Sequence, residues 1–508
     1  MRVAEFVNGP RGRPGRRADR LRLAAPPDPR VRTEHDREPE GLPGGAVTVD
    51  ILSLGSRGEG VGRTPQGQAV FVPGTVPGDR AEVEVTEVHE RYLRGELVRL
   101  LASSPDRVVP ACPSVLRCGG CPLMLLTSEA QRREKMRRLS EILRRIGGFP
   151  SVKIDPFLPV TAGEAAGAFG YRAKAAMPVG RATHTGQRTP GLIVGFYGQG
   201  SHDLVEASHC PVAHPLVRRG VVAARDVAEE LFLPPYDERS GQGFLRHILA
   251  RVAVSTGELM VTLVTRDPSW PGFERFGELM TGRLPELTTL AQSINPERTN
   301  RVLGRSQRIL AGPPYITEHL AGLTFHLSPH SFFQVNPPVA EAMYLRAIEE
   351  LRLQGGERVV DAHTGVGALA LLARRSGAGA VRGFETVEGA VRDAEANARR
   401  NRLDVRFEVG RAEDLYPRHY RAGEGPDRVL FDPPRTGCAP ELLTAVRRAP
   451  PERLVYISCA PETLARDLSR LCEDGTFVLE RVIPVDLFPH TAHLEAIAVL
   501  SRGGRPVR

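Results

Sequence analysis

The stretch RVVDAHTGVGALALLARR, residues 358–375, decides the fold of the C-terminal part of this chain. It reads as a β-branched strand, a tight turn with Gly365 and Gly367, and a helix. The next strand-like run ends at Glu385, 18 residues after Gly367. Glycines in such a turn let a cofactor approach the backbone, and an acidic side chain there accepts hydrogen bonds from ribose hydroxyls. Because the turn is D-x-x-x-G-x-G and not G-x-G-x-x-G, the pattern favours a nucleoside over a dinucleotide.

Strand-like runs alternate with helical patterns on both sides of this stretch, over residues 331–508. The runs are ERVVDA, AVRGFE, DVRFEV, DRVLFDPP, RLVYISC, FVLERVIPV and LEAIAVLS. Alternating βα units are typical of a parallel sheet that helices cover on both faces. The sequence therefore predicts an α/β fold for residues 331–508, with a doubly wound, Rossmann-like sheet.

Three further regions precede this domain. Residues 1–44 are rich in Arg, Pro and Gly, and we interpret them as a disordered basic tail. Residues 45–104 contain short alternating runs between Gly- and Pro-containing turns, which predicts a small antiparallel β-barrel of the OB type. Residues 105–330 mix strand-like and helical segments, and we predict a central α+β domain there.

Composition and charge narrow the class of protein. The chain of 508 residues has 41% hydrophobic and 25% charged residues, which is ordinary for a globular protein. No apolar run approaches the length of a membrane span, and the N-terminus lacks the pattern of a secretory signal, so we expect a cytoplasmic protein. The net charge of +8 permits a polyanionic partner such as RNA.

Seven cysteines, an odd number in a chain without a signal, argue against a disulfide framework. Three of them, Cys112, Cys118 and Cys121, follow the spacing C-x5-C-x2-C in ACPSVLRCGGCP, and Cys210 lies in ASHCPVAHP. Four thiolates suit either a zinc ion or an iron–sulfur cluster, and the spacing does not distinguish the two.

The segment LTSEAQRREKMRRLSEILRRIG, residues 126–147, predicts an amphipathic and strongly basic helix. Leu139, Leu143 and their neighbours give it an apolar stripe, and Ser128 is a candidate N-cap. Its basic face suits either solvent or RNA.

Three more strand ends carry reactive groups. Asp432 ends a strand and precedes two prolines in VLFDPPRTG, Cys459 ends RLVYISC, and Glu495 begins the last strand in FPHTAHLEAIAVL. By itself Cys459 reads as a buried apolar thiol. Because all three residues lie near strand ends of one sheet, we expect them to face one pocket together with the glycine turn.

In combination, these motifs resemble the S-adenosylmethionine-dependent RNA uridine C5-methyltransferases, the TrmA/RumA-like family. The similarity spans residues 46–500. The segments GEGVGR, VFVPGTVPGD and RGEL are similar to the TRAM barrel of that family, and CPSVLRCGGCPLMLL with HCPV is similar to its 4Fe–4S ligand set. The segments SFFQVN, DPPR, SCAPETLARD and FPHTAHLE are similar to motifs of its catalytic domain.

The resemblance implies a role for each motif residue. Contacts with S-adenosylmethionine are implied for Gln334, His363, Gly365, Glu385 and Asp432. Ligation of a 4Fe–4S cluster is implied for Cys112, Cys118, Cys121 and Cys210. Cys459 is implied as the nucleophile and Glu495 as the base. Two positions depart from the family pattern, because His363 replaces an aromatic residue and Ala460 follows the Ser-Cys pair where asparagine is usual.

These roles imply a monomeric enzyme that methylates carbon 5 of a specific uridine in RNA through a covalent cysteine–uracil adduct. The cysteine module favours 23S ribosomal RNA over transfer RNA as the substrate. Two alternatives stay open. One is an RNA-binding or assembly factor with the same fold and little or no turnover, which the departures at His363 and Ala460 allow. The other is an RNA amino-methyltransferase, against which Arg435 argues, because those enzymes often carry an aromatic residue after the two prolines.

Overall fold

The computed structural model describes residues 45–160, 167–181, 191–198, 201, 203–299, 301–421 and 425–504. The basic tail predicted at residues 1–44 lies outside these ranges. Within them, no helix combines the length and the apolar character that crossing a membrane would require.

The N-terminal strands close into a small barrel, as the sequence predicts, but one pair, Ala69–Val72 with Tyr92–Ala102, is parallel and not antiparallel. They are β1 (Ala46–Leu54), β2 (Gly60–Arg63), β3 (Ala69–Val72), β4 (Arg80–Val88) and β5 (Tyr92–Ala102), in the order β1-β2-β3-β5-β4. Alternate residues, among them Val49, Ile51, Val70 and Val72, fill the interior. Closure leaves no unpaired strand edge, which explains how so small a core keeps a defined shape.

The cysteine-rich segment that follows contains two short helices and one long helix. Its elements are α1 (Val115–Cys118), a 3-10 helix (Pro122–Leu125) and α2 (Ser128–Arg145). The predicted basic helix is therefore present, but Ser128 does not cap it. The N-cap is Thr127, whose side chain accepts a hydrogen bond from the Ala130 backbone N–H at 3.3 Å.

The central region contains one mixed sheet with two helices on one face. Its elements are β6 (Lys174–Arg181), β7 (Leu192–Tyr197), β8 (Leu204–Glu206), α3 (Pro215–Glu230), β9 (Leu245–Val252), β10 (Leu259–Thr265), α4 (Phe273–Arg283), β11 (Leu287–Ile294) and β12 (Ser306–Ala311). The strand order is β12-β11-β10-β9-β6-β7-β8. The pair β10–β11 is parallel, because α4 connects the two strands as a crossover helix.

A hairpin leads from the central region into the C-terminal domain. It consists of β13 (Ile316–Leu320) and β14 (Leu323–Leu327). Ile316, Phe325 and Leu327 pack into the same buried cluster as Val359 and Leu371 of the C-terminal domain. The predicted domain bound between residues 330 and 331 stays a prediction, and this core crosses it.

The C-terminal domain is the α/β sheet that the sequence predicts. Its elements are α5 (Pro337–Glu350), β15 (Arg358–Asp361), α6 (Ala368–Arg375), β16 (Ala380–Glu385), α7 (Glu388–Arg400), β17 (Arg406–Val409), α8 (Ala412–His419), β18 (Arg428–Phe431), α9 (Pro440–Arg448), β19 (Arg453–Ser458), α10 (Pro461–Cys472), β20 (Phe477–Val485) and β21 (Glu495–Arg502). The strand order is β17-β16-β15-β18-β19-β21-β20.

The last strand departs from the predicted all-parallel arrangement. β21 runs antiparallel to both of its neighbours, β19 and β20. Parallel neighbours need a long crossover, usually a helix. Only residues 486–494 connect β20 to β21, and they contain no helix. The two strands therefore form an antiparallel hairpin, and β21 lies between β19 and β20 in the sheet.

Helix α2 packs on the C-terminal domain. Leu139 and Leu143 of its apolar stripe are fully buried in one cluster with Leu464 and Leu468 of α10. Arg138 adds an ion pair to α10, with its guanidinium 2.6 Å from the Glu462 carboxylate. The predicted stripe is thus an interface between the cysteine-rich segment and the C-terminal domain.

Candidate active site

The carboxyl edge of the C-terminal sheet opens into a cleft of about 980 Å³. It is lined by every residue for which the sequence predicted a role in cofactor binding or catalysis: Gln334, His363, Gly365, Glu385, Asp432, Cys459 and Glu495. The parallel strands bring Glu385, Asp432 and Cys459 to this edge because each residue stands at or just beyond a strand end. Glu495 reaches the same edge from the opposite direction, because β21 is antiparallel and begins there.

The glycine turn is built around two positive φ angles. Gly365 has φ +53° and Gly367 has φ +90°, in the left-handed region that side chains other than glycine disfavour. A Cβ atom on Gly367 would stand 3.1 Å from the Phe407 ring and 3.2 Å from Ala394. The turn is tied to the next strand by Glu385, whose carboxylate accepts hydrogen bonds from the Gly365 N–H at 3.1 Å and the Val387 N–H at 2.8 Å.

Asp361, which was not singled out as a site residue, anchors the turn from below. One carboxylate oxygen accepts hydrogen bonds from the Thr364 hydroxyl at 2.9 Å and from the Ala370 N–H at 3.1 Å. The other oxygen is buried without a partner in the described structure. Burial raises the pKa of Asp361 to about 7, although these hydrogen bonds act in the opposite direction. The motif D-x-x-x-G-x-G begins with this residue, so its strand-end position was the signal that could have identified it.

His363 lies edge-on to Phe431, with ring centroids 6.0 Å apart and planes at 74°. Burial lowers its pKa to about 4, so the imidazole is neutral at physiological pH. Its Nδ1 is buried without a hydrogen-bond partner among the described residues. A neutral ring with an unsatisfied nitrogen at the wall of a cleft fits a ligand with polar edges, such as a nucleoside.

Cys459, Glu495 and Asp432 form the acidic end of the cleft. Burial and the neighbouring Glu495 and Asp432 raise the pKa of the Cys459 thiol to about 11. Burial and Asp432 likewise raise the pKa of Glu495 to about 8, and burial with Asp361 raises that of Asp432 to about 7. Arg435 acts against this trend, because its positive charge lowers the pKa of both Cys459 and Glu495.

A buried carboxylate holds the loop that carries Asp432 and Arg435. Asp467 of α10 is fully buried and accepts hydrogen bonds from the Cys438 N–H and the Tyr456 hydroxyl, both at 2.8 Å. The loop 432–438 is therefore fastened at its far end to α10 and β19. The sequence gives no signal for Asp467, because its partners are distant along the chain.

Gln334 reaches the cleft from the segment before α5. It is 9% exposed and hydrogen-bonds the hydroxyl of Tyr344, a buried side chain of α5 that also lines the cleft. Tyr344 was not predicted as a site residue, because in the sequence it reads as one more apolar position of a helix.

The segment 486–494, which leads into Glu495, is bound to the cysteine-rich region. The His490 carbonyl accepts a hydrogen bond from the Leu123 N–H at 2.9 Å, and the Pro489 carbonyl accepts one from the Tyr171 hydroxyl at 3.1 Å. At its start, Asp486 pairs with the buried Lys135 ammonium of α2 at 2.6 Å. These contacts fix the segment that precedes β21.

Comparison with known proteins agrees with this architecture. A TRAM domain model matches residues 42–98, and a tRNA (uracil-5-)-methyltransferase model matches residues 286–503. An uncharacterized RNA methyltransferase from Nostoc sp. is 40% identical over 91% of this chain and 98% of its own length. Another, from Halalkalibacterium halodurans, is 38% identical over 89% of this chain and 96% of its own length. The chain belongs to the RNA uracil-5-methyltransferase family.

A crystal structure within this family superposes on most of the chain. It is the tRNA (uracil-54, C5)-methyltransferase of Pyrococcus abyssi in complex with S-adenosyl-L-homocysteine. It is 28% identical, has a TM-score of 0.69, and is matched over 89% of this chain and 99% of its own. The predicted family, the fold class and the enzyme class are therefore confirmed.

Ala460 occupies a helix-capping position. It is the N-cap of α10, with extended backbone angles and no side-chain capping bond. The Ser458 hydroxyl lies nearby and accepts a hydrogen bond from the Ala460 N–H at 3.2 Å. Asparagine is one of the preferred N-cap residues and alanine is not. The start of α10, next to Cys459, is therefore without a side-chain cap.

The four cysteines predicted as cluster ligands come together. Burial, together with the nearby thiols of Cys210, Cys118 and Cys112, raises the pKa of Cys121 to about 12. Cys112, Cys121 and Cys210 also border one apolar cluster with Val115 and Tyr171. No three His, Cys, Asp or Glu side chains in the described parts of the chain are arranged to hold a single metal ion.

Proposed function

We propose that the chain methylates carbon 5 of a uridine in RNA, with Cys459 as the nucleophile that adds to carbon 6 and Glu495 as the base. The observation that carries this proposal is the pairing of a thiol with a carboxyl group at one end of the cleft, facing the glycine turn. A pyrimidine bound between them would present carbon 6 to one group and carbon 5 to the other.

The reaction requires both groups, because carbon 5 of uracil is too weak a nucleophile to accept a methyl group directly. Addition of the Cys459 thiolate to carbon 6 makes carbon 5 an enolate carbon. When bound, S-adenosylmethionine supplies the electrophilic methyl group. Glu495 then removes the proton from carbon 5, and the C6–S bond breaks to return the thiolate. Arg435 favours the first step, because it lowers the pKa of the buried thiol.

The residues around the turn fit S-adenosylmethionine. Glu385 stands where an acidic residue can accept hydrogen bonds from ribose hydroxyls, and Gly365 presents open space towards the cleft. The unsatisfied Nδ1 of His363 is available to the nucleoside. Gln334 and Asp432 would contact the remaining polar parts of the cofactor.

We propose in addition that Cys112, Cys118, Cys121 and Cys210 hold a 4Fe–4S cluster. Their mutual proximity supports this assignment. Four cysteine thiolates are the usual ligand set of a four-iron cluster. The cluster would stabilise the cysteine-rich segment, to which the segment 486–494 is hydrogen-bonded.

The identity of the RNA that carries the uridine is a separate part of the proposal. The cysteine module favours 23S ribosomal RNA, whereas the P. abyssi neighbour is named for a transfer RNA uridine. Mapping of 5-methyluridine in ribosomal and transfer RNA from a strain without this protein identifies the substrate, because one modified position should disappear. We also propose that the enzyme acts as a monomer in the cytoplasm, which sedimentation and cell fractionation would test.

Release of tritium from RNA labelled at carbon 5 of uridine tests the chemistry. With S-adenosylmethionine present, we expect release by the parent protein and none by Cys459→Ala. Full methylation by Cys459→Ala would favour an amino-methyltransferase. No release from any cellular RNA would favour an RNA-binding factor without turnover.

A further inference from the structure

A line of basic side chains leads from the catalytic cleft to the central sheet. It begins at Arg435, whose guanidinium lies 3.2 Å from the His493 ring nitrogen. The charge of Arg172 also acts on His493, and the Arg172 Nε donates a hydrogen bond to the Lys174 carbonyl at 3.2 Å. Lys174 on β6 stands opposite Arg251 on β9. Cationic groups therefore follow one another from Arg435, beside the cleft, to the paired strands β6 and β9 of the central sheet.

Lys174 differs from the other two lysines of the chain. Lys135 pairs with Asp486 at 2.6 Å, and Lys153 pairs with Asp155 at 3.2 Å. Lys174 makes no ion pair with a carboxylate of the described residues, and it is mostly buried between two arginines. Burial, followed by the charges of Arg251 and Arg172, lowers its pKa to about 7. A buried ammonium with cationic neighbours is stabilised by an anion that arrives from outside.

The carboxylates nearest to this group are engaged with other partners. Asp393 accepts hydrogen bonds from the hydroxyls of Ser328 and Ser331 and acts on Arg251. Glu318 accepts hydrogen bonds from two backbone N–H groups, those of Val254 and Ser255. Neither forms an ion pair with Lys174, so the positive charge at this point is not neutralised by the described residues.

Lys174 also lies beside the catalytic cleft. The Ala173 N–H donates a hydrogen bond to the Val335 carbonyl at 2.6 Å, which joins the start of β6 to the segment that carries Gln334. Lys174, Arg251 and Gln334 line one space of about 10 Å³ next to the cleft, which they share with Glu318 and which is too small for a phosphate. The side chain of Lys174 is partly exposed, and an anion bound at its exposed part would stand close to a base that has entered the cleft.

We propose that Lys174, with Arg172 beside it, binds a backbone phosphate of the RNA strand whose uridine enters the cleft. The identity of the polyanion rests on the proposed function. Phosphate contacts fix the register of a nucleic acid without reading its sequence, and lysine binds phosphate as a point charge. A phosphate at this position would orient the flipped nucleotide towards Cys459.

Protection from chemical acetylation tests the site in the parent protein. The probe is a synthetic stem-loop RNA with unpaired uridines, and labelling is performed with a trace of acetic anhydride near neutral pH. We expect RNA to reduce acetylation of Lys174 severalfold and to leave the exposed Lys153 unchanged. Equal labelling of Lys174 with and without RNA would overturn the proposal.

Substitution provides a second measurement, by anisotropy of the same labelled RNA. We expect Lys174→Met to weaken binding about tenfold, equivalent to about 1.4 kcal/mol. The slope of log Kd against log salt should fall by about 0.7–0.9, the value for one lost phosphate contact. Lys174→Arg should keep the parent slope because it keeps the charge, and Lys153→Met is the matched control.

The two proposals fail in different ways. If tritium release is absent but RNA still protects Lys174, the phosphate site stands and the proposed methylation is wrong. If methylation proceeds and Lys174→Met keeps both the parent Kd and the parent salt slope, the phosphate site is wrong and the proposed function stands.

Discussion

Glu495 stands opposite Cys459 across the β19–β21 pair, since the register places Ser458 opposite Ala496 one residue earlier. Two backbones held by a ladder of hydrogen bonds thus determine the separation of the thiol and the carboxyl group. In the proposed reaction, Glu495 is thus placed to act on carbon 5 while Cys459 is bound to carbon 6.

Glu495→Gln should trap the covalent intermediate. Glutamine keeps the size of the side chain but does not accept the proton, so the C6–S bond has no route to break. We expect tritium release to fall about 10²–10⁴-fold, and a protein–RNA adduct to persist on a denaturing gel. The double variant with Cys459→Ala is the control and should show no adduct. An adduct that survives in that control would assign the bond to another residue.

Arg435→Met should shift the pH profile of methylation to higher pH. Arg435 lowers the pKa of both Cys459 and Glu495, and each group acts in its deprotonated form. Without this charge both pKa values rise, so the rising limb of the profile should move up by about 0.5–1 pH unit. Arg435→Lys keeps the charge and should keep the profile. If the rising limb of the pH profile does not move in Arg435→Met, Arg435 does not contribute to formation of the thiolate.

Glu495→Gln should also stabilise the folded protein at alkaline pH. Burial and Asp432 raise the folded-state pKa of Glu495 to about 8, above the value of about 4.3 in an unfolded chain. The parent therefore loses the contribution of Glu495 as pH rises through this window, whereas the variant has no such group to ionise. Asp432 and Asp361, whose pKa values are also raised, titrate in both proteins. Between about pH 5 and pH 8 the stability difference in favour of the variant should grow by about 2 kcal/mol or more. Thermal unfolding at both pH values measures it, and a constant difference in Tm would contradict the burial of this charge.

Ala460→Asn should stabilise α10. The backbone at this position already has the extended angles of an N-cap, and an asparagine side chain would accept a hydrogen bond from the first turn. We expect a gain of about 0.5–2 kcal/mol, read as a higher Tm. Ala460→Val is the control, because valine cannot cap. A gain in both variants would indicate a packing effect instead.

Cys121→Ser should remove the cluster. We expect the parent, reconstituted without oxygen, to bind about four iron and four sulfide per chain. The variant should bind neither in full and should unfold at lower temperature, since the cysteine-rich segment loses the stabilisation that the cluster provides. Cys472→Ser, a half-buried cysteine of α10 far from the module in sequence, is the matched control. If the parent instead binds zinc stoichiometrically, the four cysteines form a single-ion site and the proposed cluster is wrong.

The parts of the fold that the sequence predicted are those that local pattern determines. Runs of β-branched residues identified the strands, and the glycine turn identified the edge of the sheet at which the ligand binds. Glu385, Asp432 and Cys459 could be placed together because strand ends in a parallel sheet share an edge. Each strand and each turn was identified from residues that are adjacent in the chain.

The parts that the sequence did not predict depend on distant contacts. The direction of β21 follows from a connection without a helix, which a strand pattern does not reveal. The apolar stripe of α2 was visible, but its partner α10 lies more than three hundred residues away. Asp467 and Tyr344 act through hydrogen bonds to residues that only the folded chain brings near. Propensity carries no information on such partners.

The attachment of segment 486–494 to Leu123, Tyr171 and Lys135 limits how this enzyme can be divided. A fragment that starts at residue 331 would contain all seven strands of the catalytic sheet, but none of these three anchors. In that fragment the loop before Glu495, the proposed base, would lose these three contacts but would still be held at its start, where the Asn336 amide donates a hydrogen bond to the Leu487 carbonyl at 3.0 Å. A chimera that exchanges catalytic domains between relatives must therefore carry the 3-10 helix, α2 and the start of the central domain as part of the same exchanged unit.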